Sequence, residues 1–519
     1  MALHESYIKA KLDDAKQDRN LAVTWINDVL TFAAPLDPRV NDMTTTPRDP
    51  VEQDELFDTT LQDTVDDFGS DMSHLFTPRH ERWVRLEPTK ELSPGEARQI
   101  GPMIEQAADG LFGEIERSNF YSAAGAAYRN LAVSAMAVSI TDPGPGKPIE
   151  VQHIDLASLL IARGPHGTFD GRFREWPKMK RQHLPVVFPG VLKADDGGYG
   201  ESDPKKRDNG VCHVIDGWVR DWTAADETWE YVVLVNGKLK HQRTFTGPGS
   251  CGFVVCPWRK STRTAWMPGP AHKALPPART LDTLAYKYLK VLDYEVDPPM
   301  TYVEDGVMNP EGGVGAGTWL ARAPGSDAPE PMRSEARLDA AVFERDRLVQ
   351  SIKRALYQDR PEQAGRTPPT ATQWADERAW NTRRMELPRD LVTGEWVLPI
   401  INRFAYLRKQ RGKDLGVTLE KDLVQLRPVT PLSKARDVED ISVTLQVMGI
   451  AQQLANIEQM GTPIDTMATL AAVIETAQER HIVLKSPEQV QQEQAAKMMQ
   501  QAGIDPAQMA GALGAAPQV

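Results

Sequence analysis

Leu338–Gln358 reads LDAAVFERDRLVQSIKRALYQ, and Thr370–Gly412 reads TATQWADERAWNTRRMELPRDLVTGEWVLPIINRFAYLRKQRG. In the first run Leu338, Val342, Val349, Ile352 and Leu356 fall on one helical face, with Asp339, Arg347 and Arg354 on the others. One amphipathic helix results, and it stops at Arg360-Pro361. A polar loop, Glu362–Pro369, follows. The chain then restarts at Thr370, where a Thr with Gln373 three residues on can form a capping box. At ~1.5 Å per residue the second run makes a helix about 60 Å long. Pro388 and Pro399 each remove a backbone donor. Leu387, Leu391, Leu398, Ile401 and Ala405 nevertheless stay in phase, which predicts kinks at the two prolines and no termination. Helices of this length on either side of a Pro- and Gly-bounded loop hold that loop out on a rigid stalk.

Working outward, 519 residues exceed one ordinary core, so two to four structural units are expected. A hydrophobic content of 41% with 25% charged residues is that of a folded soluble protein. Cys212, Cys251 and Cys256 are too few and too oddly spaced for a disulfide framework or a zinc site, so buried reduced thiols are expected. The start, Met1-Ala-Leu-His-Glu-Ser, has no basic region before an apolar run, and no stretch reaches the ~18 apolar residues of a membrane span. A net charge of −12 argues against a protein that grips nucleic acid, because such binding is driven by Lys and Arg releasing counterions. It is compatible with DNA sliding past a mostly acidic wall.

Toward the N-terminus, Tyr7–Phe32 reads as a charged helix closed by Ala34-Pro35-Leu36-Asp37-Pro38. Leu56–Leu75 is helical again, and Trp83–Leu86 is a short strand. Ser93–Ser139 reads as mostly helical. From Val151 to Phe253 short β-rich runs (Ser158–Ala162, Val211–Ile215, Tyr231–Val235) alternate with Gly- and Asp-rich turns, and Phe253–Cys256 is a further such run. A mixed, largely antiparallel sheet is expected, with Asn236-Gly237 as a two-residue hairpin. A helix ends at Val296-Asp-Pro-Pro299, with Leu281, Leu284, Tyr288, Val291 and Leu292 on one face. Thr301–Glu304 and Thr318–Ala321 are two short strands. Beyond Gly412 come short extended pieces at Val417 and Val424–Pro428, then helical runs from Val438 and an Ala/Gly/Gln-rich end.

Catalytic chemistry has no foothold. The pairs Gly146-Lys147, Gly237-Lys238 and Gly412-Lys413 are followed by Pro, Leu and Asp, so no phosphate-cradling P-loop is present. Gly313–Gly317 imitates a dinucleotide fingerprint without the strand that should precede it. The ten histidines form no His-Glu-x-x-His, and no Gly-x-Ser-x-Gly elbow occurs. No catalytic residues, metal ligands or cofactor are expected.

Several stretches resemble the head-to-tail connector, or portal, proteins of short-tailed bacteriophages. They are Pro369–Gln373, the following helix with Arg378, Arg383 and Arg384, and Val397–Phe404. Ser118-Asn-Phe-Tyr-Ser122, the turn from Ala162 to Trp176, and Lys273–Leu284 with its Val-Asp-Pro-Pro end are similar too. One departure is Trp266-Met-Pro-Gly-Pro270, where the family has a Gly-Arg-Gly-Pro-like element. The resemblance runs in order from Tyr7 to about Val490.

What it implies is an α+β, mainly α, portal fold with subunits arranged in a ring, twelve in number. Residues 1–270 would be the wing, 271–300 the first stem helix, 301–336 the clip and 337–359 the second stem helix. Residues 360–369 would be the tunnel loop, 370–412 a long kinked wing helix, 413–490 the wing edge and crown, and 491–519 a flexible tail. Arg360, Gln363 and Arg366 on the loop, with Lys353 and Arg354 on the stem, would touch double-stranded DNA weakly and without sequence preference. The alternative for the loop arginines is pairing with Glu362 or Asp359. Tyr302, Glu304, Asp305, Trp319 and Arg322 on the clip would dock the terminase large subunit and then the tail adaptor. Further partners would be the major capsid and scaffolding proteins. The location would be the virion's portal vertex, with the host cytoplasm before assembly and no membrane. Another ring-forming virion protein or an uncharacterised hydrolase are the competing readings.

Overall fold

The computed structural model describes residues 3–40, 56–79, 81–88, 94–191, 210–298, 300–303, 319–322, 338–359, 386–412 and 424–428, all within Met1–Pro428. The tunnel loop, the capping box at Thr370, the long helix up to residue 385, the crown and the C-terminal tail lie outside the described residues.

In chain order the elements begin with helices α1 (Glu5–Ala33) and α2 (Thr60–Phe76), strand β1 (Val84–Pro88), and helices α3 (Pro94–Arg117) and α4 (Phe120–Val133). Strands β2 (Ala135–Thr141), β3 (Glu150–His153), β4 (Leu159–Arg163) and β5 (Phe169–Lys180) follow, then the short helix α5 (Leu184–Val187). Next come β6 (Val211–Asp221), β7 (Thr228–Val235), β8 (Lys238–Thr246) and β9 (Phe253–Pro257). Helix α6 (Pro270–Val296), strands β10 (Met300–Val303) and β11 (Trp319–Arg322), and helix α7 (Leu338–Ala355) lead to α8 (Glu386–Val392), α9 (Leu398–Gln410) and β12 (Val424–Pro428). The fold therefore mixes helix and strand.

Helix α1 is a strut between two cores. Its apolar positions recur at helical spacing. Ile8, Leu12 and Ala15 pack under the five-stranded antiparallel sheet β4-β5-β6-β7-β8, against Leu160, Phe173, Val219 and Val232. Ala22, Ile26, Val29 and Leu30 enter the main core with α2, α4 and the three-stranded sheet β3-β2-β9. Fully burying a side chain of this size contributes about 1.5–3 kcal/mol. The hairpin expected at Asn236-Gly237 is present, with φ of 49° and 75°, the left-handed pair that matches strand twist.

One local expectation is corrected. The helix expected to run through Ser139 ends at Val133, and Ala135–Thr141 is the central strand of the three-stranded sheet. Ala and Met favour helix, but a segment buried on both faces and paired on both edges is decided by its neighbours. Helix α6 begins at Pro270 and continues through Pro276 and Pro277, because its N-terminal half is pinned in the main core by Ala271, Ala274, Leu275 and Ala278. Between α8 and α9 the irregularity is a π turn at Thr393–Val397, which ends just before Pro399. The π turn, closed by the Leu398 N–H on the Thr393 carbonyl, runs on into α9, and Ile400, Ile401 and Phe404 lie in the core.

Candidate functional site

Helices α6 and α7 pack on one another and leave the core together. On α6 the buried residues end at Leu281, and nothing from Asp282 to Val296 is fully covered. On α7 burial runs the other way: Ile352 is buried and Leu348 and Val349 are partly covered, while Phe343 is 75% exposed. The two helices are thus an antiparallel pair rooted at the N-terminal end of α6 and the C-terminal end of α7. Along the pair Leu289, Val296, Val342 and Phe343 present apolar surface to solvent, and Val296 is 84% exposed. Together with Tyr286, these are more exposed large side chains than the isolated ones of an ordinary surface.

The far end of the pair leads into β10 and β11, which pair in parallel with Met300 opposite Trp319, Tyr302 opposite Ala321 and Val303 opposite Arg322. Tyr302, Trp319 and Arg322 therefore belong to one small two-stranded unit; Glu304 and Asp305 lie outside the described residues. At the rooted end, Lys353 and Arg354 occupy the last turn of α7, where cations also complement the helix dipole. Both are exposed, and Arg354 Nε lies 3.9 Å from Asp359. The chain turns at Tyr357, φ 63°, whose ring sits 5.9 Å from Trp258, and Gln358 Nε2 donates to Asp71 on α2 at 3.0 Å. The helix is thereby held where the expected tunnel loop departs. Arg360, Gln363 and Arg366 lie outside the described residues. Among the described residues no cluster of His, Cys, Asp and Glu could hold a metal ion, and no helix is long and apolar enough to cross a membrane.

Residues 5–477 match the family model described as bacteriophage head to tail connecting protein. The chain belongs to this family. It is a portal protein, a structural connector of head and tail, and the family is not one of enzymes. No curated protein matches it. Among solved structures it is similar to a chain of the virion of a native gene transfer agent (GTA) particle, at 14% identity and a TM-score of 0.35, covering 86% of this chain and 98% of that one. Two further similar chains come from the neck of an empty GTA particle computed with C6 symmetry and the neck of a native particle computed with C12 symmetry. Both are 14% identical, with TM-scores of 0.35 and 0.32; they cover 86% and 78% of this chain and 93% of each of those.

Buried charges tie α1 to the five-stranded sheet. Arg19 on α1 donates to Glu175 on β5 at 2.7 Å and to the Ala157 carbonyl at 3.0 Å, while His213 Nε2 on β6 lies 2.8 Å from the other Glu175 oxygen. Beside them Arg174 grips Asp216 with two bonds of 3.1 and 3.0 Å, and Trp176 donates to the same carboxylate at 2.7 Å. None of these was singled out as a site in the sequence. Their only local signal was the Arg174-Glu175 pair after the Gly-containing turn. The three cysteines are buried and free, and burial pushes the Cys251 and Cys256 thiols up.

Burial alone would raise the Glu175 carboxyl. The His213 hydrogen bond and the Arg19 charge and hydrogen bond outweigh it and hold the group at about 2, against an ordinary 4.5. A depressed folded pKa stabilises above the unfolded value, so this contribution is full above about pH 4.5 and is lost as pH falls toward 2. Glu175→Gln is expected to cost about 2 kcal/mol at pH 7 by urea unfolding. The difference from wild type should shrink steadily below pH 4.5; a difference independent of pH would reject the assignment.

Proposed function

We propose that this connector acts as a closed ring of twelve subunits at one capsid vertex of a short-tailed phage, with DNA packaged and ejected through its centre. The observation that supports this reading is the α6–α7 pair. A lone subunit leaves the pair's apolar residues in water, whereas neighbours placed around an axis would cover them and make a wall. Head-to-tail copies of one such contact close into a ring when the rotation per subunit permits it. In this reading residues 1–270 are the wing, α6 and α7 the stem, and the unit holding Tyr302, Trp319 and Arg322 the clip. The clip, with Glu304 and Asp305, docks the terminase large subunit and then the tail adaptor. Arg360, Gln363 and Arg366, with Lys353 and Arg354, face the DNA; residues 413–490 form the wing edge and crown, and the major capsid and scaffolding proteins are further partners. Assembly begins from subunits in the host cytoplasm.

Negative-stain microscopy of the purified full chain, with its mass in solution, tests the reading. Rings with a central hole and a mass near twelve subunits are expected. A monomer at every concentration, in the presence of capsid protein as well, would overturn it.

A further inference from the structure

The α6–α7 pair carries its exposed apolar residues on two separate faces. On α6, beyond the core, Leu284, Tyr288, Val291 and Leu292 are half-buried at the spacing of one helical face, and α7 packs along the helix. Tyr286, Leu289, Asp293 and Val296 recur at intervals of three and four residues and are all exposed, so they form a second stripe. Leu289 lies five residues from Leu284 and two from Val291, which at about 100° per residue turns the stripe away from the half-buried face. The stripe begins beside Phe57, whose ring lies 4.7 Å from that of Tyr286 and whose amide donates to Asp282 at 2.7 Å.

On α7 the covered side is that of Leu348, Val349 and Ile352. Phe343 is nine residues from Ile352, about two and a half turns, and so leaves the helix on the opposite side. Both faces stand at a similar distance from the core. Phe343 is about 13 Å out from Ile352 and Leu289 about 12 Å out from Leu281, the outermost buried residues of the two helices among those described.

A closed ring needs a head-to-tail contact in which two different patches of the same chain meet, one from each copy. Phe343 set against its own image would close at two copies and leave the α6 stripe in water. We infer that the Phe343 face of α7 in one copy seats on the Tyr286–Leu289–Val296 stripe of α6 in the next. Rotation about an axis moves no residue along it, so with the pair running along the ring axis the two patches must stand at matching distances, as they do. Lys290, held 4.4 Å over the Tyr286 ring, and Asp293 border the contact on α6, while Asp346 and Arg347 follow Phe343 by one turn. Each face thus offers both signs of charge to the other, which fixes register more than it adds affinity. The inference rests on the ring reading and deepens it: the stem wall runs α6, α7, α6, α7 around the axis as a single layer.

The test is cross-linking of the full chain with a short bis-maleimide through introduced cysteines, the native three being buried. Leu289→Cys/Phe343→Cys is expected to give a ladder of covalent oligomers climbing to the full ring on a denaturing gel, while Leu289→Cys and Phe343→Cys alone stay monomeric. Lys290→Cys/Asp346→Cys keeps both apolar residues and is expected to give the same ladder, so lost packing in the first variant cannot hide the contact. Dimers from either single variant would show a face meeting its own image and overturn the inference. A wild type that forms rings in negative stain, while neither double variant gives a ladder, would overturn it too. Absence of rings from the wild type under any condition would instead overturn the ring reading, and this contact with it.

Discussion

Arg403→Met is expected to destabilise the connector by about 3 kcal/mol or more in urea unfolding. Arg403 sits on α9 at 4% exposure, and its hydrogen-bond partners are three backbone carbonyls: Ile140 at 3.1 Å, Ser250 at 2.8 Å and Gly249 at 3.3 Å. The Trp218 and Tyr406 rings lie 5.4 and 5.5 Å from its guanidinium carbon, within cation–π range. Burial pulls the group down to about 10, with Cys251, Tyr406 and Asp142 opposing, so it stays charged at neutral pH. Methionine fills the space but leaves three buried acceptors without donors. Gly249, at φ 73°, leaves no room for a side chain against the Asn402 backbone, so the loop that offers two of the acceptors packs directly on α9. Arg403→Lys keeps the charge and loses the planar fork, so it should fall between Met and wild type. If both variants unfold with the wild type, the clasp between α9 and the sheets is refuted.

The second large effect concerns assembly. Leu289→Glu/Phe343→Glu is expected to abolish rings altogether while leaving the monomer's unfolding free energy within about 0.5 kcal/mol of wild type. Leu289 is 47% exposed and Phe343 75%, so neither carries much of the subunit's own core. In the proposed ring both would be covered, and a carboxylate buried there without a partner costs far more than the lost apolar contact. Solution mass and chemical unfolding on the same sample read the two effects separately. Rings from the double variant, or a destabilised monomer, would show that these residues serve the subunit and not the contact.

Both predictions draw on parts of the molecule that differ in how far the sequence foretells them. The periodicity of Leu338–Gln358 was sufficient for α7, because a helix is a local object whose apolar face declares itself every three or four residues. The Asn236-Gly237 turn was legible for the same reason: two residues that tolerate positive φ make that hairpin without outside help. Family membership was legible in order-preserving stretches such as Ser118–Ser122 and Lys273–Leu284. Ala135–Thr141 was not legible as a strand. Its helix-favouring residues become one only when Val151–His153 and Phe253–Pro257 pair on either side. Nor could the sequence announce that Arg403 would reach Ile140, 263 residues away, or that Arg19 would find Glu175 and His213. Partners of that kind are set by which elements the burial of apolar faces brings together. What the sequence determined alone is therefore elements with a local signal, such as α7 and the Asn236-Gly237 hairpin, and the family. The tertiary structure decided which buried charges meet, where the π turn falls before Pro399, and which apolar faces of the subunit stay exposed, because those depend on contacts between residues far apart in the chain.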